Sequence, residues 1–323
     1  MLKHLSTVGL ILALLLLLAT GLYRAQAQEP DPPQKPTPTP TARPGVEPSI
    51  VGGTEAQPGS RSWQVALVDP NNIGPGPNYL NAQFCGGSLI DQDWVLTAAH
   101  CLVNNGAVTP PGNVNIIAGI HDLDNPEAGH QLRTVAQVIP HASYNATTND
   151  NDIALLRLTN PVTLGTTLGL TVSLVSPVDA NVGNLAGITA TVSGWGNRQA
   201  DPPGGSDFPD RLHELDVPLI DNTTCEAWYD SAQGDGDWIT DNMICAGFEA
   251  GGQDACQGDS GGPLVIFNES SGNWEQVGVV SWGVGCAAPM QPGVYARVSK
   301  FIAWIDSQTL PQSIYLPLVL RNN

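Results

Sequence analysis

The apolar residues of this 323-residue chain come in short runs, each cut off by glycine, proline, asparagine or aspartate. Trp63-Gln64-Val65-Ala66-Leu67, Val114-Asn115-Ile116-Ile117, Ile188-Thr189-Ala190-Thr191-Val192 and Glu275-Gln276-Val277-Gly278-Val279-Val280 are examples, and 35 glycines and 27 prolines supply the breaks. Runs of that length between turn formers read as strands, and many of them in one chain predict an all-β fold. The exception lies near the end. From Val298 to Ser307 the spacing predicts a helix, with Phe301, Ile302, Trp304 and Ile305 on one face.

Both ends read differently from this middle. Residues 1–27 have the plan of an export signal: Lys3 and His4, an apolar run from Val8 to Leu18, and Ala25-Gln26-Ala27 as a small-residue cleavage site. That run is short of the roughly 20 residues a spanning helix needs, so no stable transmembrane anchor is expected. Residues 28–49 alternate proline with threonine and have little to bury; they read as an extended pro-segment or linker. Residues 309–323 end on the apolar stretch Ile314-Tyr315-Leu316-Pro317-Leu318-Val319-Leu320, a tail whose role the sequence leaves open. All six cysteines lie between these ends, and an even count behind an export signal favours disulfides over metal ligation. Six cysteines allow 15 pairings, and spacing does not choose among them. From Ile50 on the chain keeps 8 basic and 27 acidic side chains, a field that attracts cations and repels nucleic acid. Lysine occurs once after Ile50, at Lys300.

One stretch carries chemistry: Asp254-Ala255-Cys256-Gln257-Gly258-Asp259-Ser260-Gly261-Gly262-Pro263. A serine hydroxyl needs a base to become a nucleophile, and glycines around it let backbone N–H groups approach a developing oxyanion. Alone this could be a tight turn with a capping serine. Upstream, His100 sits in Thr97-Ala98-Ala99-His100-Cys101 after an apolar run, and Asp152 stands just before Ile153-Ala154-Leu155-Leu156. The order His, Asp, Ser is one of the convergent triad orders.

These motifs, together with Ile50-Val51-Gly52-Gly53, Cys85-Gly86-Gly87-Ser88-Leu89-Ile90, Ser193-Gly194-Trp195-Gly196 and Ser281-Trp282-Gly283, make the chain resemble a trypsin-like serine protease of the chymotrypsin family from Ile50 to about Gln308. The resemblance implies two packed six-stranded antiparallel β-barrels with a C-terminal helix, one protease domain over residues 50–308, and a cleft between the barrels. It implies Ser260 as nucleophile, His100 as base, Asp152 orienting His100, and Ser281 hydrogen-bonding near Asp152. It implies an oxyanion hole from the Gly258 and Ser260 N–H groups, and a specificity pocket with Asp254 at its floor and Gly283 and Gly293 on its walls. A carboxylate at that floor favours protein or peptide substrates with arginine or lysine at the cleaved bond. The family pairing of cysteines is Cys85–Cys101, Cys225–Cys245 and Cys256–Cys286. No cofactor and no metal are expected, and the enzyme is read as a secreted monomer.

The resemblance also implies a precursor. Cleavage before Ile50 by an activating protease would free an ammonium that pairs with Asp259 and orders the oxyanion loop and pocket. Here the chain departs from the family: Ser49, not arginine or lysine, precedes Ile50, and Arg43 is followed by Pro44. An activator tolerant of small residues is expected. Trypsin binds calcium in the loop after Gly119 through two glutamates; the matching positions here are Ile120 and His130, so that site is not expected, with Asp122, Asp124 and Glu127 as the weaker alternative. The loop from Asp69 to Gln83, with Pro70, Pro75 and Pro77, is expected to overhang the leaving-group side of the cleft. Sequons stand at Asn145, Asn222 and Asn268.

Overall fold

Twelve strands close into two rings that follow one path. In this computed structural model, which describes residues 50–310 apart from 75, 77, 168–169, 173–175, 178–185 and 200–206, the first ring comprises β1 (Gln64–Val68), β2 (Gln83–Asp91), β3 (Trp94–Thr97), β4 (Asn115–Ala118), β5 (Gln131–Pro140) and β6 (Ala154–Leu158). Its order is β1-β2-β3-β6-β5-β4 and back to β1. The second comprises β7 (Thr189–Gly194), β8 (His213–Ile220), β9 (Met243–Ala246), β10 (Pro263–Asn268), β11 (Asn273–Trp282) and β12 (Gly293–Arg297). Its order is β7-β8-β9-β12-β11-β10, the same path, closed by the β8–β9 and β7–β10 pairings. Every pairing in both rings is antiparallel.

Alternation along the strands explains the two cores. In β8, His213, Leu215, Val217 and Leu219 turn inward while Asp216 faces out. In β1 all five residues are buried, because both faces are covered. Val65 and Leu67 join Leu89, Val95, Ile116 and Leu156 inside the first barrel. Ala66 pairs with the opposite side, where Ile117, Leu123 and Trp195 form the seam with the second barrel.

The two ends of the described chain cross over. Ile50 is fully buried among Val192, Leu215 and Leu264 of the second barrel, and Thr54–Glu55 pairs with β8. At the other end, Phe301 and Ile305 pack with Trp94, Leu96 and Ile153 of the first barrel. At about 1.5–3 kcal/mol for each fully buried large apolar side chain, these contacts hold each end firmly.

Two helices flank the rings. α1 (Asn222–Gln233) is one that the sequence reading misses: Cys225 and Tyr229 are buried one turn apart, Trp228 packs half-buried beside them, and most other positions are polar. Its start is marked instead by Asp221, whose carboxylate accepts the Thr224 N–H at 2.9 Å. α2 (Ile302–Thr309) follows a 3₁₀ turn at Val298–Lys300, so the expected helix over 298–307 begins later and ends later. Three disulfides form, Cys85–Cys101, Cys225–Cys245 and Cys256–Cys286, in the pairing that the resemblance implies. No helix among the described residues is long and apolar enough to cross a membrane. The export signal, the proline-rich segment, Ser49 and tail residues 311–323 lie outside the described residues, as do Pro75 and Pro77 of the long loop.

Candidate active site

His100 follows β3 and Asp152 precedes β6, two strands that pair along Trp94↔Arg157 to Thr97↔Ala154. That pairing brings the two residues together across 52 positions of sequence. The Asp152 side chain is fully buried and accepts three hydrogen bonds. Oδ1 accepts the His100 main-chain N–H at 2.8 Å, and Oδ2 accepts His100 Nδ1–H at 2.7 Å and the Ser281 hydroxyl at 2.5 Å. Hydrogen bonds from several directions hold the buried carboxylate in one orientation. They also fix the imidazole tautomer, leaving Nε2 as an acceptor. Tyr144 stands close by, its hydroxyl pushed up to about 12 by burial and by the Asp152 charge, so it stays protonated.

Ser260 is brought to this cluster through the backbone. Its carbonyl accepts the Gly86 N–H of β2 at 2.7 Å, and Gly261 N–H donates to Val280 O at 2.8 Å. Gly261 has φ +78°, and a Cβ there would lie 2.6 Å from Gly86 O, so only glycine lets the serine turn press against the first barrel. The Ser260 hydroxyl makes no hydrogen bond to His100 in this structure; His100 Nε2 lies 3.8 Å from Cys101 Sγ. Such hydroxyl–imidazole contacts are often loose without substrate and tighten in the complex.

Beside Ser260 opens a pocket of about 200 Å³, lined by Asp254, Ser281, Gly283, Gly293 and Tyr295 among others. Asp254 is 3% exposed. Its Oδ2 accepts the Ala287 N–H at 3.2 Å, while Oδ1 has no partner. Burial pushes this carboxyl up to about 7, against the opposing pull of its main-chain donors. A Cβ on Gly293 would sit 2.8 Å from Oδ1 and cover it. The pocket therefore ends on an unpaired acid that a cation would complete. The Tyr295 hydroxyl, also unpartnered, is a pocket residue that no sequence motif signals.

Asp259 is wholly buried, its oxygens accepting Gly196 N–H at 2.8 Å and Cys256 N–H at 2.9 Å, and desolvation raises it to about 7. Ile50 packs into the second barrel at φ +37°, uncommon for a β-branched residue. The chain is continuous through Ser49–Ile50, so the Ile50 nitrogen is an amide with no charge to offer Asp259. The loop after Gly119 does not fit calcium. Ile120 is buried in the seam, and His130 is engaged by Tyr79 Oη at 3.0 Å and Glu127 O at 2.9 Å. Glu127 accepts His121 N–H, and Asp122 accepts the N–H groups of Asp124 and Asn125 and the Arg211 guanidinium. An isoleucine and a hydrogen-bonded histidine at the two matching positions leave the loop short of the oxygens that calcium takes six to eight of.

A model of the Trypsin family matches residues 50–305. The chain belongs to the trypsin family. Among its relatives, cationic trypsin-3 of Rattus norvegicus is 40% identical over 257 residues, covering 80% of this chain and 88% of that protein. Trypsin of Sus scrofa is 38% identical over 257 residues, 80% of this chain and 94% of that one. Trypsin-3 of Salmo salar is 38% identical over 258 residues, with 80% and 92% covered. Trypsin family membership makes this chain a serine endopeptidase, a hydrolase of peptide bonds.

Proposed function

We propose that this trypsin-like endopeptidase cleaves after arginine or lysine and is exported as a precursor activated by a cut before Ile50. The observation that carries the specificity is Asp254: a buried carboxylate with one free oxygen at the end of a pocket that opens beside Ser260. An arginine or lysine side chain would pair with it, and any other side chain would leave the acid unmatched.

In this reading Ser260 attacks the carbonyl, His100 Nε2 takes its proton, and Asp152, held by Ser281, orients the imidazole and stabilises its cation. Gly258 and Ser260 N–H groups receive the oxyanion. Removing one such donor typically costs about 100- to 1,000-fold. Cleavage before Ile50 would place an ammonium beside Asp259, lowering a carboxyl that burial alone raises. Residues 50–308 act as one protease domain, a monomer without nucleic-acid partners, and the proline-rich 28–49 is removed by an activating protease that accepts Ser49.

The test uses protein with Ile50 at its N-terminus, matched peptides ending in arginine, lysine, phenylalanine or alanine at the cleaved bond, and Ser260→Ala as control. Cleavage after arginine and lysine that the substitution abolishes is the expected result. Cleavage confined to phenylalanine or alanine would overturn the pocket assignment.

A further inference from the structure

A side chain of the first barrel reaches the oxyanion loop of the second. Gln83, the first residue of β2, donates from Nε2 to the Gly258 carbonyl at 2.9 Å, across 175 positions of sequence. We propose that Gln83 is a positioning residue that fixes the oxyanion hole by clamping the Gly258 carbonyl; the inference rests on the triad and oxyanion roles given above.

Peptide geometry supplies the argument. In a planar trans peptide the N–H points opposite to the preceding C=O, so whatever holds that oxygen aims the hydrogen. The Gly258 N–H belongs to the peptide whose oxygen, Gln257 O, accepts Asn197 N–H at 2.8 Å. The Ser260 N–H belongs to the peptide whose oxygen, Asp259 O, accepts Gly262 N–H at 2.9 Å. Between them lies the Gly258–Asp259 peptide, and its oxygen is the one Gln83 holds. Both outer fastenings come from main-chain groups of the second barrel. The central peptide is held at both ends: its own Asp259 N–H donates to Cys256 O at 3.0 Å, and its oxygen is held by a side chain of the other barrel.

The centre is where the loop is free to turn. Gly258 has φ +100°, a conformation open to glycine, and glycine is also the residue with most freedom to leave it. Turning of the Gly258–Asp259 peptide would change ψ of Gly258 and φ of Asp259, and with them the angle between the flanking Gly258 and Ser260 N–H groups; Gln83 resists that turn at the oxygen end. Gly196 on one side, with its Cα 3.0 Å from where a Gly258 Cβ would stand, limits that rotation without setting it. A clamp on this peptide acts on the developing oxyanion and not on the cation at Asp254. Its loss should therefore appear in the chemical step and spare side-chain binding.

The experiment compares activated wild-type enzyme with Gln83→Leu, which keeps bulk and removes the donor, and Gln83→His, which restores one. Four readouts are taken: kcat and KM on an arginine peptide, affinity for a peptide aldehyde ending in arginine, affinity for benzamidine, and Tm. For Gln83→Leu the expected result is a kcat about 10-fold lower, a fraction of the loss of a whole donor. The aldehyde should weaken by the same factor, while KM and benzamidine binding stay within about two-fold. Gln83→His should recover most of the lost kcat. An unchanged kcat in Gln83→Leu overturns the proposal, as does a loss shared equally by benzamidine binding and Tm, which marks a merely structural bond. Should wild-type enzyme itself fail to cleave or to bind the aldehyde, the triad reading falls and takes this inference with it.

Discussion

At the scale of single residues, the two buried aspartates respond to pH in a direction the structure sets. Asp254 and Asp259 both rise from 3.8 to about 7 by desolvation. In the empty, uncut chain each is more readily protonated folded than unfolded, so each contributes stability that is present below about pH 4 and is lost as pH rises to about 7. The uncut chain should show this as a Tm that falls between about pH 4 and 7, with the fall reduced in Asp254→Asn. The same shift gives substrate binding its own signature. An arginine side chain binds the ionised acid, so KM for arginine peptides should drop as pH rises through about 7. Asp254→Asn should remove that dependence and lower kcat/KM for arginine by about 1,000-fold or more, since a charge-assisted pair is replaced by neutral contacts. Steady-state kinetics across that pH range check both.

At the scale of elements, the strands were legible and their partners were not. Glu275–Val280 lies inside β11, and Ile188–Val192 overlaps β7, because alternation and turn formers mark a strand locally. Closure of the second barrel depends on two paired positions, Leu219↔Ala246 and Ile220↔Cys245, and periodicity carries no partner information. The two-barrel plan and the site came from motifs such as Gly258-Asp259-Ser260-Gly261-Gly262, whose spacing is local. Gln83 and Tyr295 stayed hidden because their roles exist only after distant segments meet. α1 was missed because its apolar stripe is short, Cys225, Trp228 and Tyr229 at i, i+3 and i+4 among polar residues, with the Asp221 cap as a further mark. Asp221→Ala should cost about 1 kcal/mol, the usual value of a cap, read as a shift in urea midpoint with unchanged slope. Replacing Cys256 and Cys286 by alanine should loosen the pocket wall, since both flank Gln257 and line the cavity. Its mark would be weaker benzamidine binding with His100–Asp152 geometry kept.

At the scale of the whole molecule, the barrels repeat one strand order, yet neither holds the whole proposed triad: His100 and Asp152 belong to the first and Ser260 to the second. The crossed ends bind the halves together, with Ile50 in the second barrel and α2 on the first. One cooperative unfolding transition is expected by calorimetry; two separate transitions would show that the seam is weaker than the barrels. The crossing has a further consequence for how long the enzyme lasts. Lys300 is exposed and directly precedes Phe301, the residue that begins the contact of the C-terminal segment with the first barrel. A protease selective for arginine and lysine can cut there, and one cut would unlatch α2 from the half that carries His100. This bond is then one route by which the enzyme loses its working life, and Lys300→Gln should lengthen its half-life in concentrated solution without altering its kcat.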